Sequence, residues 1–97
     1  MGESTTPTER QRLVQRQRMR IRTIVVSFGA AVSSAHRDLE VGPAERDALV
    51  ETWRAWSLEV LERYSRETEE LHDPADPAEL ASLRSTIADA IQRVREA

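Results

Sequence analysis

The stretch TERQRLVQRQRMRIRTIVVSFGAAVSSAHRDLE, residues 8–40, contains no proline, and its apolar residues recur every three or four positions. One row, seven residues apart, contains Val14, Ile21, Phe28 and Ala35. This spacing places the row on one side of an α-helix. At ~1.5 Å per residue the helix would be about 50 Å long, so the rest of the chain must cover its apolar stripe.

Proline-containing breaks divide the rest of the chain. Gly42 suits the left-handed position after a helix, and Pro43 suits the first turn of the next one. Pro74 stops the second helix, and Asp76 and Pro77 are typical of a helix start. Connections this short favour antiparallel neighbours. We therefore predict an all-α three-helix bundle that dimerises, with a long antiparallel hairpin (about 8–40 and 43–72) and a shorter third helix (about 77–96).

The composition is that of one solvated helical domain. With 39% hydrophobic and 32% charged residues in a periodic pattern, the 97-residue chain is predicted to fold rather than to be disordered. The polar start, residues 1–7, is expected to be a disordered tail, and residues 8–97 a single domain. The absence of cysteine excludes disulfides and thiolate metal sites.

Both tryptophans lie on the predicted buried face of the second helix. In an antiparallel hairpin with its turn near residue 42, Trp53 faces Ala31 and Trp56 faces Phe28. Two indoles would thus pack against the small-residue patch of residues 27–35 and fill its volume. A functional role, such as a base-stacking platform, is the alternative. The predicted face contains Leu49, Trp53, Trp56, Val60, Tyr64 and Leu71.

The third helix is shorter than the second, so the hairpin end around Val32 and Trp53 is expected to be partly bare. Exposed apolar surface of this kind invites a second copy or another protein. The leading hypothesis is a non-enzymatic helical interaction module, an adaptor, regulatory subunit or assembly component that self-associates. Its predicted interaction face contains Ala31, Val32, Ala35, Trp53 and Trp56.

The net charge of −3 conceals an asymmetry between the two parts of the chain. Residues 1–37 hold seven Arg and two acidic residues, whereas residues 38–97 hold seven Arg and fifteen acidic residues. The basic start predicts, as an alternative function, a nucleic-acid-associated regulator that uses Arg10, Arg12, Arg16, Arg20 and Arg22. In the competing interpretation these arginines are neutralised within the hairpin by Glu62, Glu67, Glu69 and Glu70.

Arg18 lies on the apolar side of the first helix, where an aliphatic residue is expected. It begins the second seven-residue row, ahead of Val25, Val32 and Leu39, and it is expected to face Glu67. A half-buried Arg–Glu pair of this kind can set helix register. It can also hold an anionic ligand, so a small all-α enzyme or anionic-ligand binder using Arg18 is the second alternative.

The sequence gives little support for a metal site or for nucleophilic catalysis. Glu69 and His72 have the spacing used by di-iron helical bundles, but the residues expected opposite include Arg12 and Arg16, which would repel a cation. No serine, histidine and acid combine as a nucleophilic set. We predict no metal, no cofactor, no catalytic residue and a cytoplasmic location. The alternative location is outside the cell, if residues 19–35 act as a signal segment.

Overall fold

The computed structural model describes residues 7–70 and 77–97. These residues form three helices: α1 (Pro7–Arg37), α2 (Pro43–Glu69) and α3 (Pro77–Glu96). Each helix begins at a proline, whose fixed φ and missing N–H suit the first helical position. Each helix also packs against both others, so the predicted all-α three-helix bundle is confirmed. Dimerisation stays a prediction.

The connection between α1 and α2 differs from the predicted one. α1 ends at Arg37 because the backbone N–H of Glu40 donates to Asp38 Oδ1 at 3.0 Å, a local turn that replaces another helical turn. Gly42 has φ −72° and ψ 165°, so the left-handed conformation predicted for it is wrong. Gly42 is instead the N-cap of α2, and its carbonyl accepts from the N–H of Arg46 at 2.8 Å.

Several predictions about the ends of elements fall on the boundary of the described residues. α3 begins at Pro77 as predicted, and Pro7 already belongs to α1 rather than to a tail. Residues 1–6, the end of the second helix at residues 71–72 and the Asp76 cap lie outside the described residues. Residues 19–35 form the centre of α1, and secretion stays a prediction. Within the described ranges, no helix is both long and apolar enough to cross a bilayer.

The core is aliphatic, and α1 contributes its predicted row in full. Val14, Ile21, Phe28 and Ala35 are all buried, and Ile24 joins them one turn after Ile21. α1 is continuous through Gly29, so the row keeps its helical phase along the whole element. From α3 the buried residues are Leu80, Leu83, Ile87, Ala90 and Val94, which recur at the three- and four-residue spacing of one helix face.

The predicted buried face of α2 is right only in part, since Val60 is buried and Tyr64 packs against the core cluster. The buried residues of α2 are Ser57, Val60, Leu61 and Thr68, whereas Leu49, Trp53 and Trp56 are 45%, 39% and 46% exposed. α2 packs against α1 on one flank and α3 on the other, so the line of greatest burial runs between the two contacts. The prediction assumed a face directed at α1 alone. The predicted packing of both indoles in the core is therefore wrong.

α3 covers only part of the hairpin. Arg84 of α3 binds Glu69 near the end of α2, and the Nε of Arg54 donates to the carbonyl of Val94 at 3.0 Å. α3 therefore ends level with Arg54, and residues 43–53 of α2 extend beyond it. We call residues 32–53 the two-helix end. At this end Leu49 and Trp53 are exposed, whereas Val32 packs against the core cluster. That the short third helix leaves this end partly bare stays a prediction.

Gly29 gives a direct test of the packing around α1. A Cβ built at Gly29 meets no atom within 4 Å, so a methyl group fits without displacement. Because glycine costs about 1 kcal/mol relative to alanine in a helix interior, Gly29→Ala is expected to raise the free energy of unfolding by about that amount. Urea denaturation measures it. The reciprocal control, exposed Ala30→Gly, should lower the stability, and destabilisation by Gly29→Ala would contradict the open packing.

Candidate interaction surface

Three large apolar side chains form one exposed stripe on α2. Leu49, Trp53 and Trp56 are four and three residues apart, a spacing that places them on the same side of a helix. The two indoles are in T-shaped contact, with ring centroids 5.6 Å apart and an interplanar angle of 84°. Each indole is nevertheless at least 39% exposed. We call these three residues the aromatic ridge.

The ridge lies on the side of α2 that faces α1 rather than α3. Trp53 and Val60 belong to a seven-residue series that continues to Glu67, whose Oε1 is 3.2 Å from Nη1 of Arg20 on α1. The contacts with α3 come from the other flank of α2, through Arg54 and Glu69. The ridge therefore borders the α1–α2 groove on the side of the bundle opposite α3.

The α1 part of the predicted interaction face is less accessible than its tryptophans. Ala35 is buried, and Val32 packs against the core cluster. Ala31 is half-buried, and its neighbour Ala30 is exposed. The surface that combines these elements therefore consists of the ridge and the small residues of α1 beside it. No measurement tests this face, which stays a prediction.

A buried polar layer, which the sequence reasoning missed, joins α1 to the second half of α2. Gln17 is 4% exposed, and its Nε2 donates to the carbonyl of Tyr64 at 3.0 Å and to Thr68 Oγ1 at 3.3 Å. The guanidinium of Arg20 lies 4.5 Å from the centroid of the Tyr64 ring and pairs with Glu67. Gln17 could have been identified from its spacing, because it follows Val14 by three residues on the buried side.

Arg18 does not pair with Glu67, so the predicted contact between them is wrong. Arg18 instead donates to Gln15 Oε1 at 3.3 Å and to Ser82 Oγ on α3 at 3.2 Å. Arg18 and Arg20 are two residues apart, which corresponds to about 200° of rotation around the helix. Arg18 therefore faces α3, whereas Arg20 faces α2. The register role expected of Arg18 and Glu67 is thus taken by Gln17, Arg20 and Glu67.

An open crevice of about 500 Å³ adjoins Arg18, between the first half of α1 and the start of α3. Gln11, Gln15 and Ser82 line it and could donate hydrogen bonds to an anion. Glu79 also lines it, and a carboxylate there opposes a bound anion. The anionic-ligand alternative therefore stays a prediction that no contact in the crevice favours.

The expected neutralisation of the α1 arginines by α2 is observed for one described pair. Arg20 of α1 pairs with Glu67 of α2. Glu69 instead binds Arg84 of α3 through both carboxylate oxygens, at 2.7 and 2.5 Å. This hydrogen-bonded carboxylate raises the pKa of the Arg84 guanidinium above its ordinary value.

The nucleic-acid candidates Arg12, Arg16 and Arg22 are exposed, and the side chain of Arg10 lies outside the described residues.

Arg54 connects α2 to the C-terminal end of α3, a role that no sequence pattern indicated. Its side chain is only 18% exposed. It donates to the carbonyls of Val94 and Ala97 and pairs with Glu51. Its guanidinium also lies 5.9 Å from the centroid of the Phe28 ring. The last carbonyls of a helix lack partners and carry partial negative charge, so a cation there is stabilising.

Comparison with known proteins adds no functional assignment. No family model, curated protein or solved structure matches the chain. Among the residues that the structure describes, no three His, Asp or Glu side chains converge as ligands of a metal ion. His72 of the predicted Glu69–His72 pair lies outside these residues. The geometry of the described surface therefore carries the functional argument.

Removal of the Arg54 side chain should destabilise the bundle. Arg54→Ala leaves the last carbonyls of α3 without their charged donor, and hydrogen bonds to charged groups contribute about 1.5–3 kcal/mol. We expect a loss of that size in urea denaturation and a smaller loss for Arg54→Lys, which keeps the charge. The control is Arg66→Ala, an exposed position on the same helix, expected to cost below about 1 kcal/mol. Equal losses at both positions would contradict the role of Arg54.

Proposed function

We propose that this protein is a non-enzymatic helical interaction module that self-associates through the aromatic ridge. One observation carries the proposal: Leu49, Trp53 and Trp56 are adjacent and exposed on one side of α2. Single exposed apolar residues are common on proteins, but a contiguous stripe with two indoles is not. Tryptophan is also enriched among the residues that dominate binding energy at protein interfaces.

The position of the ridge supports the same proposal. It borders the α1–α2 groove on the side opposite α3, where no third helix covers the hairpin. Two helices alone cannot surround a residue as large as tryptophan, whose full burial removes about 150–250 Å² from water. Helices from a second chain would complete the cover. The T-shaped contact between the indoles holds them in one arrangement, which reduces the ordering cost of binding.

Light scattering coupled to size exclusion tests the proposal. We expect the mass to rise toward that of a dimer with concentration, and Trp53→Ala with Trp56→Ala to keep the protein monomeric. Interface hot spots contribute at least ~2 kcal/mol each, and a dimer carries each substitution twice, so a single substitution should weaken association by about 30-fold or more. Circular dichroism should stay unchanged because neither indole belongs to the core cluster.

The matched control for the tryptophan variants is Leu39→Ala. Leu39 is a large apolar residue outside the ridge and is 98% exposed, so its removal should leave association unchanged. A wild-type protein that remains monomeric throughout the concentration range would overturn self-association. An effect of Leu39→Ala as large as that of the double tryptophan variant would show that general surface hydrophobicity, rather than the ridge, drives association.

A second candidate function, nucleic-acid binding, is favoured by the exposed arginines of α1. Arg12, Arg16 and Arg22 lie on its solvent side, and no ion pair with another described residue neutralises them. Arginines on one helix can neutralise several phosphates of a nucleic acid and release its counterions. Arg20 contributes less to such a surface because Glu67 already pairs with it.

The salt dependence of binding tests this second candidate. Fluorescence anisotropy with a labelled duplex at ~50 and ~200 mM salt should show steeply weakening affinity, since each phosphate contact adds about −0.9 to the log–log slope. Joint replacement of Arg12, Arg16 and Arg22 by Gln should remove most of that slope. Arg66→Gln on α2 is the control and should change little. Absence of binding at ~50 mM salt would exclude this candidate.

A further inference from the structure

We propose that a second copy of this chain packs against the aromatic ridge, antiparallel to the first and related to it by a two-fold axis. In this arrangement α2 lies against the partner's α2 and α1 against the partner's α1. The axis crosses α2 between Trp53 and Trp56. The inference rests on the proposed function and adds the orientation of the partner.

The two helices present one continuous face on the side away from α3. On α2 this face contains the aromatic ridge. On α1 the face is located by Arg20, whose contacts with Glu67 and Tyr64 show which side of α1 is turned toward α2. Helical spacing places on that side Arg16, Thr23, Ser27, Ala30, Ala31 and Ser34.

The centre of this face is suited to a symmetric contact. Because Arg54 lies over the Phe28 ring, the segment from Trp53 to Trp56 is level with the small residues of α1. An antiparallel pair centred there places each Trp53 beside the partner's Trp56. It also brings α1 against the partner's α1 at Ser27, Ala30 and Ala31, whose small side chains permit close approach of two helices. A two-fold contact requires such self-complementarity of a single surface.

The charges at the two ends of the face distinguish the antiparallel from the parallel arrangement. The turn end is acidic, with Asp38, Glu40 and Glu45 all exposed. The opposite end carries the exposed Arg12 and Arg16 of α1 and Arg63 of α2 together with Glu9 and Glu70, so its excess of basic residues is small. An antiparallel pair places each acidic end against the partner's basic end, which favours association. A parallel pair would place acidic against acidic and basic against basic, so electrostatics oppose it.

The chain contains no cysteine, so a single introduced cysteine reports only on contacts between two copies. In the antiparallel arrangement, Thr52 lies roughly 8 Å from the partner's Thr52, measured along the helix axis of α2. Glu45 lies roughly 28 Å from the partner's Glu45 in the same direction. Glu45 is instead level with the partner's Arg63. All three positions are exposed on α2, beside the ridge.

A short bis-maleimide cross-linker, with mass spectrometry as the readout, tests the arrangement on the full chain. We expect Thr52→Cys to cross-link to itself in high yield and Glu45→Cys to do so at least 10-fold less. A mixture of Glu45→Cys and Arg63→Cys should give the mixed product. Ala88→Cys, exposed on α3, is the control and should not cross-link. Raising the salt concentration should weaken the dimer because opposite charges meet at both ends.

The outcomes separate this inference from the proposed function. Efficient self-cross-linking of Glu45→Cys in a dimer that the tryptophan substitutions dissociate would overturn the antiparallel orientation and leave the proposed function in place. A monomer by light scattering would overturn both. Cross-linking of Ala88→Cys that exceeds that of Thr52→Cys would place the contact on α3 and overturn the use of the ridge.

Discussion

The structure depends on the burial of one long apolar stripe by two helices of unequal length. α1 has 31 residues and cannot bury its own stripe, so α2 and α3 pack along its two flanks. α2 has 27 residues and α3 only 20. The shortfall of α3 leaves one end of the hairpin without a third layer. Leu49 and Trp53 lie instead on the flank of α2 that faces away from α3, so they remain exposed although their spacing resembles that of core residues.

Polar side chains then determine how the helices are aligned. Gln17 donates to the backbone of α2 inside the bundle, and a shift of the helices would leave its buried amide without partners, at a cost of about 1–3 kcal/mol. Arg54 holds the end of α3 at a fixed level on α2 by donating to the carbonyl of Val94. Glu69 and Arg84 join the same two helices at the other end. Three contacts of different chemistry thus specify one alignment of the helices.

The proposed function is based on the residues that this alignment leaves exposed on the surface. The ridge faces away from α3, and Arg12, Arg16 and Arg22 of α1 are exposed. An apolar centre between an acidic and a basic end is a surface suited to a second copy of the same chain. The acidic end of one copy meets the basic end of the other only when the two copies run in opposite directions.

The sequence by itself determined the number of helices, the breaks at Pro43 and Pro77 and the buried row from Val14 to Ala35, because proline positions and helical periodicity are local properties. Only the tertiary structure decided the rotation of α2, the choice of Arg20 rather than Arg18 for Glu67 and the role of Arg54. Each of these depends on where two other helices lie around α2. The line of α2 that lies between the two other helices is buried, whereas the flank that borders α1 alone leaves both tryptophans exposed.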